Sequence, residues 1–221
     1  DRQDAITPIV AALNNPNLFL YKQSGVYPIG IPGFNWCVFS CFDEDGWDSI
    51  EPVEGDINIA LFHGGVRGSS TDINWSIDGE VTVDFFDRFD FALLGDIHKC
   101  QFLNEEKSIA YCGSSIQQNY GEDPGKGFLL WEIEDKDNFT STFFEIEHRQ
   151  PFITIDWQGS TAKTIDHVTN LPEHARYRVR SESQINQLEI KHIYNELKEI
   201  KNASEVVFKH DSDLDVSTIH A

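Results

Sequence analysis

Two histidines close apolar runs in this chain, His63 in LFHGGV and His98 in GDIHK, and Asp96 stands two residues before the second. An apolar run that ends in a sharp turn is a rigid mount for an imidazole. Gly64 and Gly65 would let the backbone come close to a ligand there. If the segment is extended, Asp96 and His98 point to one side of it. Imidazole with carboxylate is a donor set that ligates one divalent ion or bridges two. A structural histidine or a solvated turn would carry the same spacing, so these residues alone leave both readings open.

A second set of polar residues lies in GSSIQQNYGE, Gly113 to Glu122, where Ser114, Gln117, Gln118 and Asn119 could meet a substrate or a partner, or could form a polar turn between strands. Farther on, Arg176, Arg178 and Arg180 alternate along a strand-like run, and Lys191, Lys198 and Lys201 follow on a helical one. Such cations could contact nucleic-acid phosphates. Interleaving with Glu182, Glu189, Glu196 and Glu199 fits a solvated mixed-charge surface equally. His148, His167, His174 and His192 show no metal spacing and read as surface or hinge residues. Cys37, Cys41, Cys100 and Cys112 form neither a dense disulfide framework nor a CxxC pair. Reduced thiols are expected, with Cys37 and Cys41 on one face of a strand.

The elements that must position these residues are mostly strands. Thr7 and Pro8 predict the N-cap and first turn of a short helix through Leu13, closed by Asn14 and Asn15. LFLY (18–21), GVYPI and NWCVFSCF (35–42) predict strands separated by turn residues, followed by an acidic loop over 43–55. INIALFHGG and FALLGDIHK predict buried strands, and VTVDFFDRF between them a short helix capped by Thr82. SIAYCGSS, GFLLWEI and STFFEIEH add three strands. PFITIDW, RYRVRSES, a helix over about 184–200 with Leu188, Ile193, Leu197 and Ile200 on its apolar face, and EVVFKHD make a separate small α+β pattern. The whole predicts a layered α/β (α+β) protein of two domains, 1–147 and 148–221.

Of the 221 residues, 40% are hydrophobic, with 16 Phe, 6 Tyr and 5 Trp, enough for a substantial core. The longest apolar run is the five residues Ile9–Leu13, far below the roughly 18 that span a bilayer, so no membrane segment is expected. No leader pattern opens the chain, which makes the cytosol the default compartment. The lack of methionine predicts a fragment of a longer chain.

The formal charge is −20 and is unevenly spread. Residues 1–147 carry 8 basic and 26 acidic residues (−18), residues 148–210 carry 9 and 8 (+1), and the tail adds three aspartates (−3). Such acidity disfavours nonspecific nucleic-acid binding by the first domain and suits a site for divalent metal. The second domain has a different electrostatic task.

Taken together, LFHGGV, FALLGDIHK, IAYCGSSIQQNYGE and GFLLWEI resemble the distal half of the calcineurin-like metallophosphoesterase fold in its DNA-repair exonuclease branch. That branch includes SbcD and the meiotic-recombination-eleven nucleases, and the likeness is strongest to their bacteriophage recombination-endonuclease relatives. It runs to about residue 147, and more loosely through the cap that follows in those nucleases. The resemblance implies the distal half of a four-layer β-sandwich with flanking helices, then a small α+β capping, DNA-binding domain.

By this resemblance His63 matches a ligand of the second metal, Asp96 the first position of the family's GHxH motif on that same metal, and His98 a ligand of the first metal. Asp96 replaces an imidazole with a carboxylate, which favours a hard ion such as Mn2+ or Mg2+ or makes Asp96 a partner of a ligand instead. Cys112 stands where relatives often carry proline, a packing change. The DxH, GDxxD and GNHD motifs, with the histidine that assists the leaving group, do not occur in this chain.

The resemblance therefore implies part of a Mn2+-dependent DNA nuclease subunit for repair, recombination or phage replication. Its implied partners are DNA, a coiled-coil ATPase of the SbcC type and a second copy in a homodimer, with Pro8–Leu13 a candidate dimer contact. The 221 residues alone are expected to be inactive. The alternatives are a non-catalytic scaffold or split-gene half that binds DNA, the ATPase or a missing N-terminal chain, and a phosphoesterase acting on a small substrate.

Overall fold

The computed structural model describes Asp4 and residues 6–210. The chain forms two compact units, one of residues up to Ser114 with Gly127–Phe144, the other of Ser115–Lys126 with residues from Glu145 onward. The expected boundary at 147/148 thus lies near the last of three crossings, at 144/145, whereas Ser115–Lys126, assigned to the first domain by sequence, packs with the second unit. Three sheets and a few helices make this a mixed α/β protein. No helix among the described residues is long and apolar enough to cross a membrane.

The first unit is built on a six-stranded sheet in the order β1-β2-β3-β4-β6-β5. Its strands are β1 (Gly25–Pro28), β2 (Phe34–Phe39), β3 (Ile57–His63), β4 (Phe91–Gly95), β5 (Gln101–Phe102) and β6 (Ile109–Tyr111). β2, β3, β4 and β6 are parallel, and the edge strands β1 and β5 run antiparallel to their neighbours. Central parallel strands are covered on both faces, which is why INIALF and FALL are nearly unbroken apolar runs.

One face carries Cys37, Phe39, Ala60, Phe62, Ala92, Leu94, Ile109 and Tyr111 into the main core with Phe86, Phe89 and Val66. Phe39 is the hub, its ring 5.1 Å from Phe85, 5.5 Å from Phe89 and 6.0 Å from Trp47, all edge to face. Phe86 is wholly buried, and a side chain of that kind contributes about 1.5–3 kcal/mol by leaving water. The opposite face meets the hairpin of β7 (Gly127–Ile133) and β8 (Phe139–Glu145), where Phe91 packs edge-on against Trp131 and Phe139.

Several local expectations are corrected. Residues 18–21 are not a strand but an irregular segment, because LFLY finds no neighbouring strand to pair with. Helix α1 (Ile6–Leu13) forms, but its first turn is held by Asp4, whose carboxylate accepts from the Ile6 and Thr7 N–H groups and the Thr7 hydroxyl. Asp4 also pairs with Lys22, and these bonds hold its carboxyl well below the usual carboxylate range. None of the α1 side chains is buried within this chain. Cys41 lies in the turn after β2 rather than on its face. The predicted helix after Thr82 is a single 3-10 turn, Val83–Phe86, and the acidic loop contains another, Glu44–Ser49.

The second unit has a parallel three-stranded sheet, β11-β10-β9, from β9 (Phe152–Asp156), β10 (Arg176–Ser181) and β11 (Glu205–His210). Parallel neighbours need crossovers, and these are α2 (Thr161–Asp166), missed in the sequence, and α3 (Gln187–Lys201). Ile155, Tyr177, Val179, Ile193 and Leu197 form its core. Asn186 caps α3 by accepting from the Glu189 N–H at 3.0 Å, and Asn202 ends it in the left-handed region at φ 48°.

The buried face of α3 is shifted from the expected one. Leu188 is 71% exposed and Ile200 46%, whereas Lys201 is buried. The ammonium of Lys201 donates to the Thr169 and Leu171 carbonyls at 2.7 and 2.8 Å, and that of Lys198 to Ala203 and Ser204. Two of the lysines considered for phosphate contact are thus occupied with backbone oxygens outside α3. The C-terminal tail aspartates lie outside the described residues.

Candidate functional site

His63 is the last residue of β3 and pairs in register with Gly95, the last residue of β4. The imidazole lies against that glycine: a Cβ added at Gly95 would stand 2.9 Å from His63 Cδ2. A glycine here is what lets the ring lie across the end of the neighbouring strand. Past Gly95 the chain bends at Asp96, which adopts φ 93°, an uncommon conformation for any residue but glycine. Ile97 is then buried and His98 half-buried. The extended geometry expected for Asp96 and His98 is therefore absent, and the alternation that would put both on one face does not operate across the bend.

His63, Asp96 and His98 are brought together only to the extent that they stand at the ends of two adjacent parallel strands. Among the described residues, no group of three or more His, Cys, Asp or Glu side chains gathers in an arrangement able to hold a metal ion. Asp96 and His63 are exposed. As a fit to a metal, this is a partial donor set that would need further ligands from elsewhere.

Tyr111, which sequence reasoning did not single out, fixes the turn behind His63. Its hydroxyl donates to the Gly64 carbonyl at 2.6 Å and accepts from the Val66 N–H at 2.9 Å, and burial pushes the phenol above its ordinary pKa. The ring is fully buried at the end of β6, with one polar atom serving two backbone groups. The only signal in the sequence is a tyrosine inside the apolar run IAYC, where an apolar residue would suffice for packing.

A ribbon-like loop rises between β3 and β4, with bridges Val66↔Val81 and Ser70↔Ser76. Close glycine packing shapes it: a Cβ at Gly79 would fall 2.3 Å from the Gly65 carbonyl oxygen. Lys99 donates to Ser70 Oγ and Asn74 Oδ1, both at 3.1 Å, and the Gln101 amide clasps the Ser70 N–H and carbonyl. The loop is therefore tied to the residues that follow His98, and it presents Trp75, 70% exposed, at its tip. On the other side of the sheet lies a cavity of about 730 Å3, walled by Val38, Leu61, Leu93, Ala110 and Trp131 and reached by His63 and Cys112.

The polar segment GSSIQQNYGE divides between the two units after Ser114, and Gly113 at its start packs against the His98 carbonyl, where an added Cβ would stand 3.1 Å from the oxygen. Ser114 is half-buried, and its carbonyl accepts from the Gly127 N–H at 3.1 Å. Gln117, buried in the second unit, accepts from the Phe152 N–H at 2.9 Å and donates to the Phe152 carbonyl, so its amide completes the open edge of β9. Glu122 accepts from the Gln118 N–H and the Asn119 amide, each at 3.0 Å, and pairs with buried Lys126 at 3.3 Å. Asn119 also accepts from the Gly121 N–H. Gln117 and Asn119 thus act as internal braces.

Arg176, Arg178 and Arg180 share one face of β10, as the alternation predicts, opposite the face that packs on the helices. Arg176 lies over the Phe152 ring at 4.7 Å and Arg178 over the Tyr120 ring at 4.8 Å, while Arg180 bonds Asp156 at 2.8 Å. Arg178 also donates to Thr154 Oγ1 and the Tyr120 carbonyl. Tyr120 in turn donates to Glu205 at 3.0 Å, and burial, then that bond, drives its pKa far up. The face is a ladder of guanidinium–ring and ion-pair contacts, with each guanidinium held in place.

No protein-family profile matches the chain. The chain is 32% identical over 223 residues to an uncharacterized protein of Acanthamoeba polyphaga mimivirus, a match that takes in 94% of this chain but 16% of the length of that protein.

Proposed function

We propose that these residues are the distal part of a metal-dependent phosphodiesterase domain acting on DNA, of the metallophosphoesterase type resembling the SbcD nucleases, followed by its cap. The observation that carries this reading is the placement of His63 and of the Asp96–His98 bend at the ends of adjacent parallel strands β3 and β4, with Gly95 between them. Donors at neighbouring strand ends share a rim on which a second set of ligands can close.

In this reading His63 and His98 each offer an imidazole and Asp96 a carboxylate, toward Mn2+ or Mg2+. The ions, once held by a complete ligand set, supply a water activated at neutral pH and neutralise charge at the phosphorus. Tyr111 fixes the turn after His63, and Gly95 leaves room for its ring. The remaining donors come from a segment outside these 221 residues, so the chain alone is inactive. The guanidinium ladder of β10 faces phosphate, with the aromatic rings holding the cations in place, and the acidic first unit keeps DNA off other surfaces. A homodimer and an SbcC-type ATPase complete the proposed assembly, which works in the cytosol.

The test is cleavage of linear duplex DNA with Mn2+ by the full-length protein, by its His98→Ala form and by these 221 residues alone. The proposal expects activity only in the unaltered full-length protein. Robust Mn2+-dependent cleavage by the 221 residues would overturn it, as would full activity after His98→Ala.

A further inference from the structure

The antiparallel pair β5–β6 leads, one residue beyond its last ladder rung, to two thiols. Gln101 pairs with Tyr111 and Phe102 with Ala110, so the next step of the same register sets Cys100 opposite Cys112. The Leu103 N–H donates to the Ile109 carbonyl at 2.9 Å, which makes that pair a hydrogen-bonded one. Hydrogen-bonded and non-hydrogen-bonded pairs alternate along an antiparallel ladder. Three steps on, the Cys100–Cys112 position is therefore of the non-hydrogen-bonded kind, in which facing Cα atoms stand about 4.5 Å apart and side chains come closest. That separation lies inside the range of about 4.4–6.8 Å that a disulfide spans.

Close approach of the two segments is independently visible. A Cβ placed on Gly113 would lie 3.0 Å from the Cys100 nitrogen and 3.3 Å from the Cys100 Cβ, so the backbone next to Cys112 runs against Cys100. Cys112 is exposed and Cys100 half-buried, whereas Cys37 is buried at 0% exposure in the core. We infer that Cys100 and Cys112 form a reversible cross-strand disulfide, a redox-sensitive site two residues beyond His98.

The oxidant is a low-molecular-weight disulfide of the glutathione class. The Cys112 sulfur, as the accessible nucleophile, attacks one sulfur of the small disulfide, breaks its S–S bond and releases one small thiol, leaving a mixed disulfide on Cys112. The Cys100 sulfur then attacks Cys112 Sγ and expels the second small thiol. Two protein thiols are oxidised and one small disulfide is reduced to two thiols. The two protons pass from the cysteines to the departing sulfurs, by way of solvent. Closure ties the segment that carries His98 to the end of β6. The inference needs neither metal nor DNA and stands apart from the proposed activity.

The test is equilibration of the 221-residue chain with glutathione buffers of increasing oxidising strength, followed by acid quenching, alkylation and mass spectrometry. The expected result is loss of two of the four alkylatable thiols with a mass decrease of two hydrogens, reversed by dithiothreitol. Trypsin separates the two cysteines at Lys107, so the bridge is read directly as a linked peptide pair. The bridge should persist in the Cys37→Ser/Cys41→Ser double variant and vanish in Cys112→Ser. Alkylation of all four thiols across the series would overturn the inference. So would a glutathione adduct on Cys112 that never resolves, or a bridge to Cys37 or Cys41.

Discussion

The Tyr111 hydroxyl donates to the Gly64 carbonyl at 2.6 Å, so a residue at the end of β6 sets the path of the chain just after His63. Removing that oxygen by Tyr111→Phe strands the Gly64 carbonyl and the Val66 N–H, while the ring still fills its place. Each unpaired buried backbone group costs about 1–3 kcal/mol, and the expected loss, read from urea unfolding, is of that order. Amide exchange at Val66 should speed up with it. Unchanged stability and exchange would mean that water replaces the hydroxyl without cost.

Gly95→Ala places a methyl 2.9 Å from the His63 ring. The protein should still fold, with a loss of about 1–3 kcal/mol, the range for overpacking a close contact. The His63 ring must turn away, which NMR would read as a shift of its imidazole signals larger than any at His98. An unmoved His63 would show that the close approach is not needed for its orientation.

Gln117 stands in the polar segment that the sequence offered as a contact surface, and the structure makes it a brace for β9. Gln117→Ala should cost about 1–3 kcal/mol by leaving an edge N–H and a carbonyl unpaired. It should leave DNA affinity per folded molecule of the full-length protein unchanged. Loss of affinity without loss of stability would restore the contact role.

In the second unit, burial pushes the fully buried Tyr177 phenol up to about 12, from an ordinary value of 10. Its folded pKa exceeds the unfolded one, so the folded state holds a proton that the unfolded state has already released. The stabilisation is fully present below pH 10 and is lost as pH rises toward 12. Tyr177→Phe should flatten the fall of stability over that alkaline window, measured by thermal unfolding at stepped pH. An unaltered slope would assign the alkaline loss to other groups, Tyr120 first among them.

Most strands were legible because their apolar runs and turn residues mark them, and INIALFH and FALLG became β3 and β4 as the pattern predicts. LFLY has the same composition yet is irregular, since a run of apolar residues cannot report whether a neighbouring strand is free to pair. The short helix α2 escaped because TAKTID is too brief to show a period. On α3 the stem of Lys201 packs where an apolar residue was expected and its ammonium reaches two carbonyls, an arrangement that binary patterning assigns to the surface. His63, Asp96 and His98 were visible by residue type and position. The bend at Asp96, the glycine beneath His63 and the tyrosine behind it depend on contacts between strands far apart in sequence.

In the proposed reading His63, Asp96 and His98 are one part of a divided metal site. Calorimetric titration of Mn2+ tests it most directly, into this chain alone, into the chain mixed with a separately expressed segment supplying the remaining ligands, and into the same mixture carrying His63→Ala. Tight binding is expected only in the unaltered mixture. Tight binding by the chain alone, or binding by the mixture that survives His63→Ala, would contradict it.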